Sequence, residues 1–466
     1  MTGFTRSREF AVAVVASAFV LEILDITILN VAIPIIRQKL GATAGDIEAV
    51  IAAYALTFGS LLLAGGRLGD ILGYKRLFQA GLLAFTLASI GCGLAASPLG
   101  LILTRAAQGV GAAMMAPQIL AIIQVLYEPG ERHKVLGLFG LLGGASSILG
   151  PIVGGLLLKA DLFGLSWRPL FLINAPFGAA ALVLAALYLP ATRSETARRF
   201  DFLGALLSAG GALCLLVPLV TAGRLATDAR LALAALGAAS IALLIAHLSR
   251  QARRGGAALF PLSLFSEKAF VTGLGVVVMF QMITGSLLVC ASVALQSGLG
   301  CSPLVTSLLH IPFAAGVSVA IGLLGRRLVP KLGRLLPMIG CLAMGLGLAG
   351  FAASLRLEPG ALQLGALECA FASAGLGMGL VSAPLSAFTL ARVGLSEAGA
   401  ASGLFNTAQQ LGSAFGMATL GGLFLTEAVP GAPLARFADA FARLAACDLL
   451  LLGAILVLCR RFPRRP

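Results

Sequence analysis

FAVAVVASAFVLEILDITILNVAIPII, residues 10–36, is an apolar run interrupted by two acids, Glu22 and Asp25, and by no base. About 20 apolar residues suffice for a helix to cross the hydrocarbon core, so this run is long enough to span a bilayer. Arg6 and Arg8 precede it as in a signal peptide, but it continues past Asp25 to Ile36 without a small-residue cleavage site. The reading is a retained first span. Runs of the same kind recur as far as Cys459 with short polar gaps between them. The chain is 59% hydrophobic and 11% charged, a balance that a soluble globular surface cannot accommodate.

Apolar stretches fall at 10–36, 46–65, 77–95, 99–122, 134–158, 169–189 and 202–222, then at 230–249, 270–291, 304–324, 335–354, 361–383, 402–425 and 441–459. This predicts an all-α polytopic membrane protein with 14 transmembrane helices. With the N-terminus inside, 23 of the 33 Lys and Arg residues fall in inner connections and 9 in outer ones, Arg105 lying within a span. The bias towards basic inner loops puts both termini in the cytoplasm and explains the net charge of +14 without nucleic acid. The polar connections TRSETARRFD from Thr192 and RQARRGG from Arg250 predict a division into residues 1–192, a six-helix bundle, 193–256, two inserted helices, and 257–466, a second six-helix bundle. GRLGDILGYKR from Gly66 has an echo in RRLVPKLGR from Arg326, as expected of related halves. Pro330 stands where Asp70 would align, so the second copy lacks the acid.

Six stretches in order make the sequence more specific. They are LDITILNVAIP from Leu24, GRLGDILGYKR from Gly66, RAAQGVGAAM from Arg105, GASSILGPIVGG from Gly144, WRPLFLINAPFG from Trp167 and SGLFNTAQQLGSAFG from Ser402. Together they resemble the fourteen-span drug:proton antiporter family of the major facilitator superfamily over nearly the whole chain. The resemblance implies the major facilitator fold and proton-coupled multidrug efflux at the cell membrane. It also implies an antiport motif at Gly144, Gly150, Pro151, Gly154 and Gly155, and a gating loop at Gly66, Asp70, Gly73, Lys75 and Arg76. The expected partners are a small-molecule substrate, protons and the lipid bilayer. The working unit is expected to be a monomer, with envelope partner proteins left open.

Charge inside a span marks the candidate chemistry. A carboxylate at the bilayer centre costs about 2.5–3.5 kcal/mol on insertion scales, more in other treatments, unless it is paired, hydrated or protonated. Glu22 and Asp25, three residues apart, lie roughly 60° apart around a helix and share one wall. Arg105 enters the fourth span at about the depth of Asp25, which makes Asp25 its nearest acidic partner. An Asp25–Arg105 pair broken or remade by a proton would couple protonation to conformation; hydrogen bonding to a neighbouring helix is the structural alternative. The glycines around Pro151 let helices approach closely, as a hinge or as plain packing. Asp70 can pair with Arg67, Lys75 or Arg76 in a polar latch. Glu368 and Asp448 are further carboxylates for cationic cargo, or acids near helix ends that reach water. Asn30, Gln108, Gln281, Asn406, Gln409 and Gln410 are candidates for a polar cavity, with interhelical hydrogen bonding as the alternative. His310, beside Pro312, is read as a packing residue.

The eight cysteines are scattered without metal-ligand spacing, so neither a disulfide framework, a metal site nor a cofactor is expected. No phosphate-binding loop, zinc-protease helix or nucleophile elbow occurs, which argues against an ATP-driven pump and against an enzyme. Export of amphipathic, cationic drugs or metabolites leads. A dedicated exporter of one natural product and a non-transporting receptor or assembly factor are the alternatives. Arg outnumbers Lys 27 to 6, a sign of a GC-rich bacterial genome.

Overall fold

The computed structural model describes residues 2–190, 201–220, 226–254, 259–394 and 397–462. The boundaries expected at 192/193 and 256/257 lie outside these residues, as do most of TRSETARRFD and the end of the basic tail. Six helices come first: α1 (Thr2–Leu40), α2 (Ala44–Leu72), α3 (Tyr74–Leu94), α4 (Pro98–Leu126), α5 (Pro129–Ala160) and α6 (Pro169–Tyr188). Two follow, α7 (Phe202–Val220) and α8 (Thr227–Arg254). The last set is α9 (Lys268–Gly298), α10 (Pro303–Gly325), α11 (Leu335–Ser354), α12 (Ala361–Leu390), α13 (Ala398–Gly416) and α14 (Leu434–Cys459). A π-helical turn at Met417–Gly421 carries α13 on to Leu425.

Among the described residues, 12 helices are long and apolar enough to cross a membrane. They coincide with twelve of the fourteen expected spans. The other two spans fall on α7, whose described apolar stretch is Phe202–Leu215, and on α13. Helix α13 places Asn406, Thr407, Gln409 and Gln410 in its central turns, so its average hydropathy is diluted although the helix is continuous.

Local chemistry sets the helix ends. Thr43 and Asp46 form a capping box at the start of α2, and Ser97 accepts from the Gly100 N–H at the start of α4. Gly73 closes α2 and opens α3 with φ 95°, a conformation that a side chain would disfavour. Gly333 has φ 52° at the corresponding corner before α11.

Helix pairing repeats along the chain. In the first set α1 packs on α5 and α6, α2 on α4, and α3 on α4 and α6. In the second set α9 packs on α13 and α14, α10 on α12, and α11 on α12 and α14. Each pair recurs eight helices later. The sets meet through α2 against α13, α5 against α10, and α1 against α9. Exchanging the sets maps these contacts onto one another, as a pseudo-two-fold relation requires. Helices α7 and α8 pack on each other, and α7 leans on α2.

The sets are sealed at one end and apart at the other. At the sealed end Arg37 Nη1 donates to the Ala428 carbonyl at 2.9 Å, and Gln296 Nε2 donates to the Val31 carbonyl at 2.8 Å. A buried apolar cluster that draws on both sets reaches this end, where Leu29, Ile33 and Ile36 join Leu287, Phe424 and Phe441. At the end carrying the 66–76 loop, a cavity of about 1940 Å³ separates the halves.

Candidate functional site

The cavity is lined by α1, α2, α4 and α5 on one side and by α10, α12 and α13 on the other. Its walls mix Phe19, Phe58, Leu62, Val317 and Met378 with Ser147, Ser318, Asn406 and Gln410. Glu22 is the carboxylate on its deep wall, while Asp70 and Glu397 lie towards the mouth. Pro117 and Pro151 lie inside two of the lining helices, where each removes one backbone donor from the helical ladder.

Asp25, one turn from Glu22, does not face the cavity. It is 1% exposed and points into the first helix set, where four helices supply its surroundings. Arg105 Nη1 of α4 lies 2.6 Å from Asp25 Oδ2. Gln108 Nε2, one turn along α4, donates to Asp25 Oδ1 at 2.8 Å, and Asn174 Nδ2 of α6 donates to the same oxygen at 2.8 Å. Arg105 Nη1 also donates to Gln108 Oε1 at 2.7 Å. Asn174 Nδ2 donates to Ser89 Oγ of α3 at 2.9 Å, and the Ser89 hydroxyl donates to the Phe171 carbonyl at 3.0 Å. The Cys92 thiol donates weakly to Gln108 Oε1 at 3.7 Å. Across the guanidinium, the Tyr54 ring centroid of α2 is 4.5 Å from Arg105 Cζ.

This network fits an ionised Asp25. Every donor aims at a carboxylate oxygen, and Gln108 Oε1 is already occupied by Arg105. A proton on Asp25 would turn an acceptor into a donor and remove the counter-charge of a buried guanidinium. The arrangement cannot absorb that change unaltered.

The glycines around Pro151 give α5 two faces. A Cβ on Gly150 would sit 1.9 Å from Thr27 Oγ1 and one on Gly154 2.9 Å from Ile28 Cγ1, so both residues press on α1. A Cβ on Gly155 would meet Ser307 Oγ at 2.3 Å, and one on Gly144 would meet Ser318 Oγ at 3.2 Å, both on α10 of the opposite set. The helix therefore touches the acidic helix of its own set and the partner set together.

The expected 66–76 loop is helical apart from Gly73, because α2 runs on to Leu72 and α3 opens at Tyr74. Within it Asp70 Oδ1 accepts from the Tyr74 hydroxyl at 3.0 Å, and Asp70 Oδ2 lies 3.7 Å from Arg67. Lys75 Nζ donates to the Ala186 carbonyl at the end of α6 at 2.8 Å, and Arg76 is exposed. Behind the loop, Gln118 Nε2 donates to the Gly65 carbonyl at 2.9 Å, with Gly66 against Pro117. The second copy has a counterpart: Arg334 Nη1 donates to the Arg460 carbonyl just beyond α14 at 2.8 Å. Of Arg326, only the backbone is described.

Of the polar residues expected around a cavity, Asn406 and Gln410 line it, and Gln108 belongs to the Asp25 network. Asn30, Gln281 and Gln409 are half-buried away from its lining, Gln281 Oε1 accepting from Thr284 at 3.0 Å. Glu368 is exposed on the outer surface of α12. Asp448 is fully buried, and neither carboxylate oxygen has a hydrogen-bond partner among the described residues. His310 is buried against Phe371 at a ring separation of 5.0 Å and bonds to the Thr306 carbonyl at 2.7 Å. Sequence reasoning did not single out Asn174, Ser89, Tyr54 or Gln118. The signal for Asn174 was present in FLINAPFG, where an amide interrupts an apolar run.

Residues 15–417 match the sequence family described as Major Facilitator Superfamily. The chain belongs to that superfamily. Its members among the most similar curated proteins include a "Probable actinorhodin transporter" of Streptomyces coelicolor, 39% identical over 90% of this chain and 72% of the relative. The "Cephamycin export protein CmcT" of Amycolatopsis lactamdurans is 34% identical over 90% of this chain and 85% of the relative. Among solved structures, a variant of the nucleoside transporter NupG shares 14% identity at a TM-score of 0.70, over 97% of this chain and 99% of that one. A bacterial homologue of the lysosomal transporter Spinster, solved inward-facing and occupied, shares 16% at 0.68 over 98% of each chain. At such identities these likenesses speak for the fold. The major facilitator chain described here is thus a membrane transporter and not an enzyme.

Proposed function

We propose that this transporter exports amphipathic small molecules of the antibiotic or drug class from the cytoplasm in exchange for protons, by alternating access. The carrying observation is the buried network in which Asp25 neutralises Arg105 immediately behind a cavity whose deep wall presents Glu22. Asp25, held by Arg105, Gln108 and Asn174, is the coupling group; Glu22 meets the cargo and favours a cation. The names of the relatives support export of such compounds. The cavity mouth, the 66–76 loop and both termini are cytoplasmic in this reading, and the protein acts as a monomer in the bacterial cytoplasmic membrane. Helices α7 and α13 are then also spans, making fourteen, arranged as two six-helix bundles with α7 and α8 inserted.

The proposed coupling runs through the helix contacts of the first set. With Asp25 ionised, α1 is tied to α4 and α6. Protonation removes the tie at Arg105, and α1 then shifts against α5 at the Gly150 and Gly154 contacts, which α5 transmits to α10 through Gly155. A second reading, a dedicated exporter of one natural product, is favoured by the relatives named for a single compound.

Purified protein in proteoliposomes, challenged with a panel of amphipathic cations and neutral antibiotics while internal pH is followed, tests both. Proton movement on addition of several compounds is expected, and it should vanish in Asp25→Asn. A response to one compound alone selects the dedicated exporter. Cargo flux with no proton movement would sink antiport, and neither flux nor proton movement would leave a receptor or assembly factor.

A further inference from the structure

Protonating Asp25 leaves the Arg105 guanidinium, 2% exposed, without its carboxylate partner. A buried cation abandoned in this way costs several kcal/mol unless something else holds it. The structure provides a second support on the opposite side, the Tyr54 ring, whose centroid lies 4.5 Å from Arg105 Cζ. Phe171 is farther away at 5.9 Å. The face of an aromatic ring within about 6 Å attracts a guanidinium, most strongly where water is excluded.

Tyr54 is fixed to the same helix pair as Arg105. Thr57 Oγ1, three residues along α2, donates to the Ala106 carbonyl of α4 at 2.9 Å. Gly109 of α4 brings the backbones so close that a Cβ there would lie 2.5 Å from the Tyr54 carbonyl oxygen. Ring and guanidinium therefore move as one body, whereas Asp25 rides on α1. The Tyr54 hydroxyl is buried and has no hydrogen-bond partner among the described residues, so the ring face makes the contact and the hydroxyl does not.

We infer that Tyr54 is a positioning residue for proton exchange: it keeps Arg105 on the α2–α4 pair when Asp25 becomes neutral, so that protonation frees α1 instead of displacing the guanidinium. This rests on the coupling role proposed for Asp25. The ionisable groups facing Asp25 are Glu22 on its own helix, Tyr54 from α2, Cys92 from α3 and Arg105 from α4, while α6 contributes the neutral Asn174. Of these, only Tyr54 offers Arg105 a π-face, the other ring in reach being that of Phe171 at 5.9 Å.

Without the ring, neutral Asp25 would leave Arg105 held only by Gln108 Oε1 and the more distant Phe171 ring, and Asp25 would take its proton less readily. The test is an infrared pH titration of the full-length protein in lipid nanodiscs, following the carbonyl band of protonated Asp25, identified as the band missing from Asp25→Asn. In Tyr54→Leu its midpoint should move to lower pH by about 0.5 to 1 unit. In Tyr54→Phe it should stay at the wild-type value. Tyr54→Met replaces Tyr54→Leu if thermal melting shows that the latter does not fold. A wild-type band that titrates, with an unchanged midpoint in a folded aliphatic variant, overturns the role of Tyr54, as does an equal shift in Tyr54→Phe. If no Asp25-dependent band titrates in wild type, the coupling role of Asp25 falls, and this inference with it.

Discussion

Asp25 receives three N–H donors from α4 and α6, and its neighbour Glu22 receives a cavity. Two carboxylates one turn apart therefore have different surroundings. Replacing Asn174 by Ala removes bonds to Asp25 and Ser89 without touching the cavity wall, and should cost about 1–3 kcal/mol of stability, read as a lower melting temperature in detergent. Asp25→Asn should cost about 3–5 kcal/mol, because it leaves Arg105 buried without a counter-charge. Asp25 and Arg105 were legible in the sequence because a charge in an apolar run is expensive and must be explained. Asn174, Ser89 and Tyr54 were not. Neutral polar side chains are cheap enough in a span to occur for many reasons, and nothing along the chain says which of them converge.

At the scale of elements, close approach is built from glycine. A Cβ on Gly65 would lie 2.0 Å from the Ala113 carbonyl oxygen, a backbone atom that cannot swing aside. Gly65→Val should therefore force α2 from α4 and lower both melting temperature and transport. Gly69→Ala meets the Gln118 side chain at 1.9 Å instead, and a companion Gln118→Ala should restore most of what that variant loses. The two basic loops show what sequence comparison of the halves saw only faintly. Lys75 caps the end of α6 and Arg334 caps the chain just past α14, the corresponding helices of the two sets. The echo between GRLGDILGYKR and RRLVPKLGR is weak as text. As a capping device it is shared, although Arg334 stands one position before the place of Lys75, and the acid Asp70 has Pro330 in its place.

At the scale of the molecule, one end is held shut by Arg37 on Ala428, Gln296 on Val31 and the apolar cluster between them. Those two hydrogen bonds stabilise this arrangement over its alternate. Arg37→Ala combined with Gln296→Ala should raise the population open at that end, by about fivefold for each kcal/mol lost. Labelling of Ile33→Cys by a membrane-impermeant thiol reagent, in a background lacking the eight native cysteines, measures it; an unchanged rate would assign closure to the apolar cluster alone.

Sequence alone determined the membrane class, the place of nearly every span, the superfamily and the charged positions that need an explanation. The superfamily rests on the resemblance of six ordered motifs; the others are properties of local composition, since the cost of placing a side chain in hydrocarbon depends on the residue and its depth, and both can be read along the chain. Only the tertiary structure decided that Glu22 faces the cavity, that Asp25 is locked behind it, that Glu368 lies outside and that Asp448 is buried. A helix that is apolar on every side carries little record of which side meets lipid, partner or cavity. That rotation is fixed by packing against helices far away in sequence, and so it waits for the fold.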